Sequence, residues 1–227
     1  MAELHVLRVF VGDGDGSGGV GGNPLGVFLD GAGVAPERRQ AVAADLGFSE
    51  TVFVEDAARG AVRIHTPGGE LPFAGHPLVG TSWLLARAGA AVDVLRPPAG
   101  EVPTWTQGDL TWIRGRPEWA PPFPLRQLES RAEVDAHPGA QEGELLQVWA
   151  WQDEAAGRVR VRVFPRALGI AEDEATGAAA VLLGAQLARP LIISQGVGSL
   201  IAVRPGPDGT VDVGGHTLLD ETRDHPL

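Results

Sequence analysis

Two stretches of the chain carry the same order of apolar and polar positions. The first starts as a short strand at Val62, Arg63 and Ile64, passes through Thr66-Pro67-Gly68-Gly69, and ends in an apolar run closed by Gly89. Gly75-His76-Pro77 opens that run. Proline at the first helical position is preorganised and lacks only an amide that would go unpaired anyway. Glycine is a common helix stop. Between Glu70 and Arg87 no carboxylate or guanidinium occurs, and a helix that is apolar all round is a buried one. The pattern predicts a core helix whose N-terminus points inward, with free backbone N–H groups and positive dipole potential at Gly75 and His76. Such an end is suited to an anion.

The second stretch begins at Arg158. Through Phe164 it alternates arginine and valine, a strand with one apolar face. Pro165 to Gly169 and the acidic Glu172-Asp173-Glu174 follow. Ala175-Thr176-Gly177 then leads into an uncharged run that ends at Arg189-Pro190. Ala74-Gly75 and Thr176-Gly177 occupy equivalent places. Two unrelated buried helices in one globule give the same periodicity. A duplicated unit predicts more: two lobes with the N-termini of their core helices facing one cleft.

The remaining pattern is mostly short strands. Leu4 to Val11 reads as a strand, Gly12 to Gly22 as a glycine-rich loop, and Asn23 to Asp30 as a turn and a strand. Pro36 to Leu46 predicts an amphipathic helix with Val42, Ala43 and Leu46 inward and Arg38 and Arg39 outward. Phe48 to Val54 and Ala91 to Leu95 read as strands, and Pro103 to Ile113 as a hairpin around Gly108. Arg116 to Pro124 is proline-rich and suits a linker between lobes, while 125–143 is weakly patterned. Leu145 to Trp151 pairs with Val159 to Phe164 in a second hairpin. Leu191 to Ser194 is a strand, and Gln195 to Ser199 a glycine turn. Leu200 to Val203 and Val211 to Val213 form a third hairpin. From Asp220 the chain reads as a tail.

Composition narrows the chemistry. A chain of 227 residues with a net charge of -11 is large enough for a real core and a poor binder of nucleic acid, whose phosphates need Lys and Arg. There is no Cys and no Tyr, and no Lys at any position. Thiol nucleophiles, zinc thiolates, Schiff bases and a P-loop lysine are excluded. Acid–base work falls to Asp, Glu or His. The N-terminus has an early acid and no basic segment before an apolar run, unlike a secretory signal. No stretch reaches the ~18 apolar residues of a membrane span. A soluble cytoplasmic protein is expected.

Glu50 stands at the mouth of a predicted strand between Phe48 and Val52-Phe53. An apolar setting disfavours the charged form and moves a carboxyl toward the general acid–base range; an exposed strand-edge glutamate is the alternative. Gly14-x-Gly16-x-x-Gly19 resembles a dinucleotide fingerprint, but a turn and strand follow instead of a helix. Asp13, Asp15 and Ser17 mimic the start of a calcium loop, but the twelfth position is Pro24, not the bidentate Glu. His5, His65, His137, His216 and His225 show no ligand spacing, so no metal is expected.

Five motifs, in order, are similar to those of the PhzF-like isomerase family of phenazine biosynthesis. They are Gly22-Asn23-Pro24-Leu25-Gly26-Val27, Leu46-Gly47-Phe48-Ser49-Glu50-Thr51, Pro72-Phe73-Ala74-Gly75-His76-Pro77, Glu172-Asp173-Glu174-Ala175-Thr176-Gly177, and Gln195-Gly196. The resemblance implies the diaminopimelate epimerase-like α+β fold: two pseudo-symmetric lobes, each a curved, mostly antiparallel sheet around a central buried helix. On this chain the lobes fall at 1–115 and 116–227, with the last residues returning to the first. It implies a cofactor-independent isomerase, often a homodimer, acting on a small carboxylate substrate. Glu50 matches the family's catalytic carboxylate. Gly75, His76, Asp173, Thr176 and Gly177 match substrate-binding positions in the interlobe cleft. Related epimerases and proline racemases carry two thiols at the places of Ala74 and Thr176, so two-thiol racemisation is excluded here. Glu174 stands where the family usually has Pro, and Ala178 where a Ser commonly follows Ala-Thr-Gly. The chain is also shorter than most members, over about 115–165. The competing expectation is a non-catalytic small-anion binder on the same scaffold.

Overall fold

Both predicted core helices form, and strands wrap each of them. The computed structural model describes residues 1–13 and 19–226; most of the Gly14–Gly19 and Asp13–Ser17 patterns lies outside the described residues. Helix α2 (Gly75–Arg87) is buried from Gly75 through Ser82. Helix α4 (Gly177–Leu187) is buried from Gly177 through Val181 and again at Leu183 and Gly184. Neither has a side-chain N-cap, because Ala74 and the engaged Thr176 hold those positions.

The strands form one long curved sheet. From one edge the order is β5 (Gly69–Leu71), β4 (Ala61–Thr66), β3 (Glu50–Asp56), β2 (Asn23–Phe28), β1 (Ala2–Val11) and β14 (Val211–His225). It continues through β13 (Ser199–Pro205), β12 (Leu191–Gln195), β11 (Arg158–Pro165), β10 (Leu145–Asp153) and β9 (Leu125–Gln127). The hairpin of β7 (Val102–Gln107) and β8 (Leu110–Gly115) branches off β14, with the short β6 (Val94–Leu95) on β7. The architecture is α+β, as the motifs implied. Of the predicted strand at Ala91 to Leu95, only its last two residues pair.

Strand β14 changes partners along its length. Val211–Gly215 pairs with β8, and Val211–Gly214 also with β13. From His216 to His225 the same strand runs antiparallel to β1. The expected tail from Asp220 is therefore wrong. Residues 220–224 are polar and exposed, which reads locally as solvated coil, but their backbone completes the β1 ladder. Arg8 Nε donates to both carboxylate oxygens of Asp220, and His225 is buried edge-on to Phe28.

Helix α1 (Pro36–Leu46) forms where predicted and is stopped by Gly47 at φ 68°. Its Arg39 does not face outward. It is 5% exposed, donates to the carbonyls of Gly31 and Val34, pairs with Glu55 at 2.6 Å and lies 5.6 Å over the Phe53 ring. The turn at 31–34 leaves carbonyls that need a donor, and Arg39 satisfies them. The weakly patterned 125–143 holds β9 and a short helix, α3 (Arg131–Ala136), whose N-cap Ser130 accepts from the Glu133 amide. A six-residue helix burying only Val134 leaves no periodicity to read.

Candidate active site

The strand period of two places Glu50. Val52 and Val54 on β3 point into the core around α2, while Phe53 points the other way, toward α1. Glu50 shares the face of Val52 and Val54, and as first residue of β3 it lies over the N-terminal end of α2. The alternation of β11 does the same for the second half. Val159, Val161 and Val163 are buried, and Arg160 and Arg162 face α3. Arg162 holds Glu172 through two 2.7 Å bonds, and the Asp173 amide donates to Val163 at 3.0 Å. Asp173 is thereby turned inward and buried.

The two helix ends meet. A methyl on Gly177 would lie 2.7 Å from the Gly75 Cα and 2.8 Å from the His76 nitrogen, and one on Gly75 would lie 2.7 Å from the Gly177 Cα. Only glycine allows this approach. Ala74 and Thr176, the N-cap residues, flank the contact and line the same cavity. The first-turn amides of Gly75, His76, Gly177 and Ala178 have no protein acceptor among the described residues.

Four side chains bind the site together. Asn23, at the start of β2, donates to Asp173 at 2.7 Å and to the Ala175 carbonyl at 2.9 Å, accepts from Ser49 at 3.0 Å, and lies 3.4 Å from His76 Nδ1. Thr176 donates to Asp173 at 2.6 Å, so its hydroxyl is engaged with the carboxylate. Gln195 donates to the Asp173 carbonyl and the Thr176 hydroxyl, both at 2.9 Å, and accepts from the Thr176 amide. Asn23, Ser49 and Gln195 were not assigned roles from the sequence, although the quoted motifs contain all three. A carboxamide beside a strand-breaking Pro24 was the available signal.

Glu50 and His76 face each other across the cavity, Oε2 to Nε2, at 3.3 Å. Neither atom has a hydrogen-bond partner. Burial first, and the Asp173 carboxylate second, push the Glu50 carboxyl up to about 8, against a lowering bond from Ser49. Burial pushes His76 down to about 3, opposed by a bond to the Pro24 carbonyl. Asp173 is also raised, by burial first, with Thr176 and Asn23 opposing. The pair therefore holds its proton on Glu50 at neutral pH, with a neutral imidazole beside it.

These shifts give a stability prediction. The Glu50 value is higher folded than its ordinary 4.5, so the folded protein keeps a proton that the unfolded chain releases. That contribution is complete below the ordinary value and is lost as pH rises through the folded one. Gln does not titrate. The Tm advantage of Glu50→Gln over the parent is expected to widen from about pH 5 to about pH 8.5, measured by thermal melts; a constant difference would contradict it.

The rest of the cavity is apolar. Leu71, Phe73, Phe123, Pro165, Leu168 and Ile170 line it with Ala178, and its volume is about 30 Å³. The proline-rich stretch does more than connect. Trp119 packs 5.7 Å from Phe73, and Pro121 and Phe123 form one wall. Among the described residues no group of three His, Asp or Glu is placed to hold a metal. No helix among the described residues is long and apolar enough to cross a membrane.

The family model for phenazine biosynthesis-like protein matches residues 17–148. The trans-2,3-dihydro-3-hydroxyanthranilate isomerase of Pseudomonas fluorescens is 31% identical over 78% of this chain and 81% of its own length. The chain belongs to the PhzF-like family. It is an isomerase of that family. The Pseudomonas aeruginosa protein of the same name is 32% identical over 77% of each chain. Among solved structures, a PhzF-family phenazine biosynthesis protein of Enterococcus faecalis superimposes with TM-score 0.77 at 19% identity, over 100% of this chain and 99% of that one. A probable proline racemase of Agrobacterium radiobacter gives 0.66 at 11%, over 100% and 93%. The PhzF-like fold is thus shared with that racemase.

Proposed function

We propose that this PhzF-like isomerase moves a proton between carbons of a small, carboxylated, cyclic or conjugated metabolite, without a cofactor. One observation carries the reading: two unpartnered buried atoms, Glu50 Oε2 and His76 Nε2, face each other in a cavity fronted by two helix N-termini. The substrate carboxylate rests on the free amides at Gly75 and Gly177, where the dipoles add. The ionised form of Glu50 takes the proton from one carbon and returns it to another, and a carboxyl titrating near neutral pH keeps a working fraction in that form. His76 and Asp173 hold the amino or hydroxyl groups and set the protonation of Glu50. The apolar wall from Phe73 to Ile170 takes the ring face. A cavity of about 30 Å³ admits little more than one water, so the two halves part to load substrate and close over it, excluding solvent.

The substrate named for the Pseudomonas relatives, trans-2,3-dihydro-3-hydroxyanthranilate, is the first candidate. Incubated with the protein in deuterium oxide, it is expected to isomerise with at most one solvent deuteron gained per turnover, and fewer where Glu50 returns the abstracted proton before it exchanges, read by mass spectrometry and proton NMR. Binding without isomerisation or exchange, across this compound and a panel of cyclic amino acids, would favour the non-catalytic binder. Ala178, which brings no polar group to the cavity, is the feature on that side.

A further inference from the structure

Glu174 lies outside the cavity, yet it ties together three segments that build it. Its carboxylate accepts the Val197 amide at 2.9 and 3.2 Å and the Ser199 hydroxyl at 2.7 Å. The same Ser199 oxygen accepts the Gly22 amide at 2.8 Å. Gly22 precedes Asn23, whose amide grips Asp173, and Asp173 precedes Glu174. A closed ring of contacts results: Asp173, Glu174, Ser199, Gly22, Asn23 and back to Asp173. The chain packs tightly around the carboxylate. A methyl on Gly196 would lie 2.0 Å from Glu174 Oε2, and one on Gly21 2.9 Å from Oε1. No Arg or His forms an ion pair with Glu174 among the described residues, so its partners are an amide and a hydroxyl in fixed positions.

We propose that Glu174 is a positioning residue: through the turn at 195–199 and through Ser199 it fixes the Gly22–Asn23 backbone, and so holds the Asn23 amide against Asp173 across the cleft. The inference deepens the proton-shift reading and rests on it for its kinetic arm. The ring joins β2 of the first half to the loop ahead of α4 in the second. Closing the halves assembles it, and the geometry of Asp173 in the closed state depends on it. The charge of Glu174 acts on Asp173 as well, opposing its ionisation. The other titratable groups facing Asp173 in the cavity are Glu50 from β3 and His76 from α2; neither touches Glu174.

The test uses Glu174→Ala, Glu174→Gln and Ser199→Ala in the full chain. Glu174→Ala and Ser199→Ala are expected to lower kcat by about 10- to 100-fold with KM changed by less than about threefold, since the lost contacts orient a group rather than bind substrate. Glu174→Gln retains an acceptor oxygen for Ser199 and is expected to recover kcat to within about threefold of the parent. Gln also removes the charge. The Asp173 carboxyl, followed by carbon-13 NMR, is expected to titrate at lower pH in Glu174→Gln than in the parent. A purely structural role would lower Tm in all three variants and leave kcat, measured well below Tm, and the Asp173 titration unmoved; that result overturns the proposal. The NMR arm needs no substrate. A parent protein inactive on every candidate substrate would sink the proton-shift reading, while an unmoved Asp173 midpoint would sink this one.

Discussion

Glu50→Gln is expected to slow turnover by about 10³-fold or more while leaving substrate affinity within a few fold. The substitution is nearly isosteric. Its amide can donate to or accept from His76 Nε2, which at 3.3 Å from Glu50 Oε2 has no other partner, so the fold and the cleft are kept. What is lost is a group able to give and retake a proton in the pH range where the buried carboxyl titrates. The helix-end amides and the apolar wall that bind the substrate remain. Rates come from isomerisation followed in single turnover, affinities from calorimetry with the same compound. A variant within tenfold of the parent rate would move the proton-carrying role to another group, Asp173 first. A variant that lost binding together with rate would make Glu50 a contact rather than a shuttle.

Gly177→Ala is expected to damage both stability and activity, because of where its methyl falls. The new methyl has nowhere to go. It meets the backbone of the opposite helix at Gly75 and His76 between 2.7 and 2.9 Å, and no flexible side chain among those atoms can yield. Forcing the helix ends apart costs about 1–3 kcal/mol as overpacking. It also widens the gap across which Glu50, His76 and Asp173 must converge. A displacement of about 1 Å in a catalytic constellation costs on the order of 10²-fold in rate. Melting temperature and exchange rate should fall together. Gly69→Ala is the control: its methyl meets nothing within 4 Å, and both readouts should stay at the parent's values. Parent-like activity in Gly177→Ala would mean that the close approach of the helix ends is dispensable.

Much of this site was legible as pattern, for a physical reason in each case. An uncharged helix is conspicuous because burying a charge is expensive, and α2 and α4 both stand out on that ground. Glu50 was visible because its apolar neighbours on β3 announce burial on both faces. Gly75 and Gly177 were visible as helix starts, and the repeated unit placed both at one cleft, but that their backbones touch was not visible, since no sequence pattern reports a distance. Asn23, Ser49 and Gln195 were harder. Each is one polar residue in a short strand or turn, and its value lies in partners far along the chain, such as Asp173 at 150 positions from Asn23. The same limit explains the terminal strand. Nothing in residues 220–224 tells of the β1 ladder they complete. Arg39 misled because helical spacing ignores the carbonyls of a neighbouring turn.

The partner exchange along β14 bears on how the cleft can breathe. Gly214 and Gly215 sit where the strand leaves β8 and β13 and takes up β1, each pressed by an aromatic ring where a side chain would be, Trp112 and Phe10 respectively. Opposite, β1 is out of register between Val9 and Val11, with Phe10 at φ 68°. A bulge facing a glycine pair is a natural bending point of a ribbon whose other register shift lies between Val6 and Leu7. Under the proposed opening of the cleft, the expected fulcrum lies near residues 10 and 215, with the two glycines of the helix ends as the tips that part.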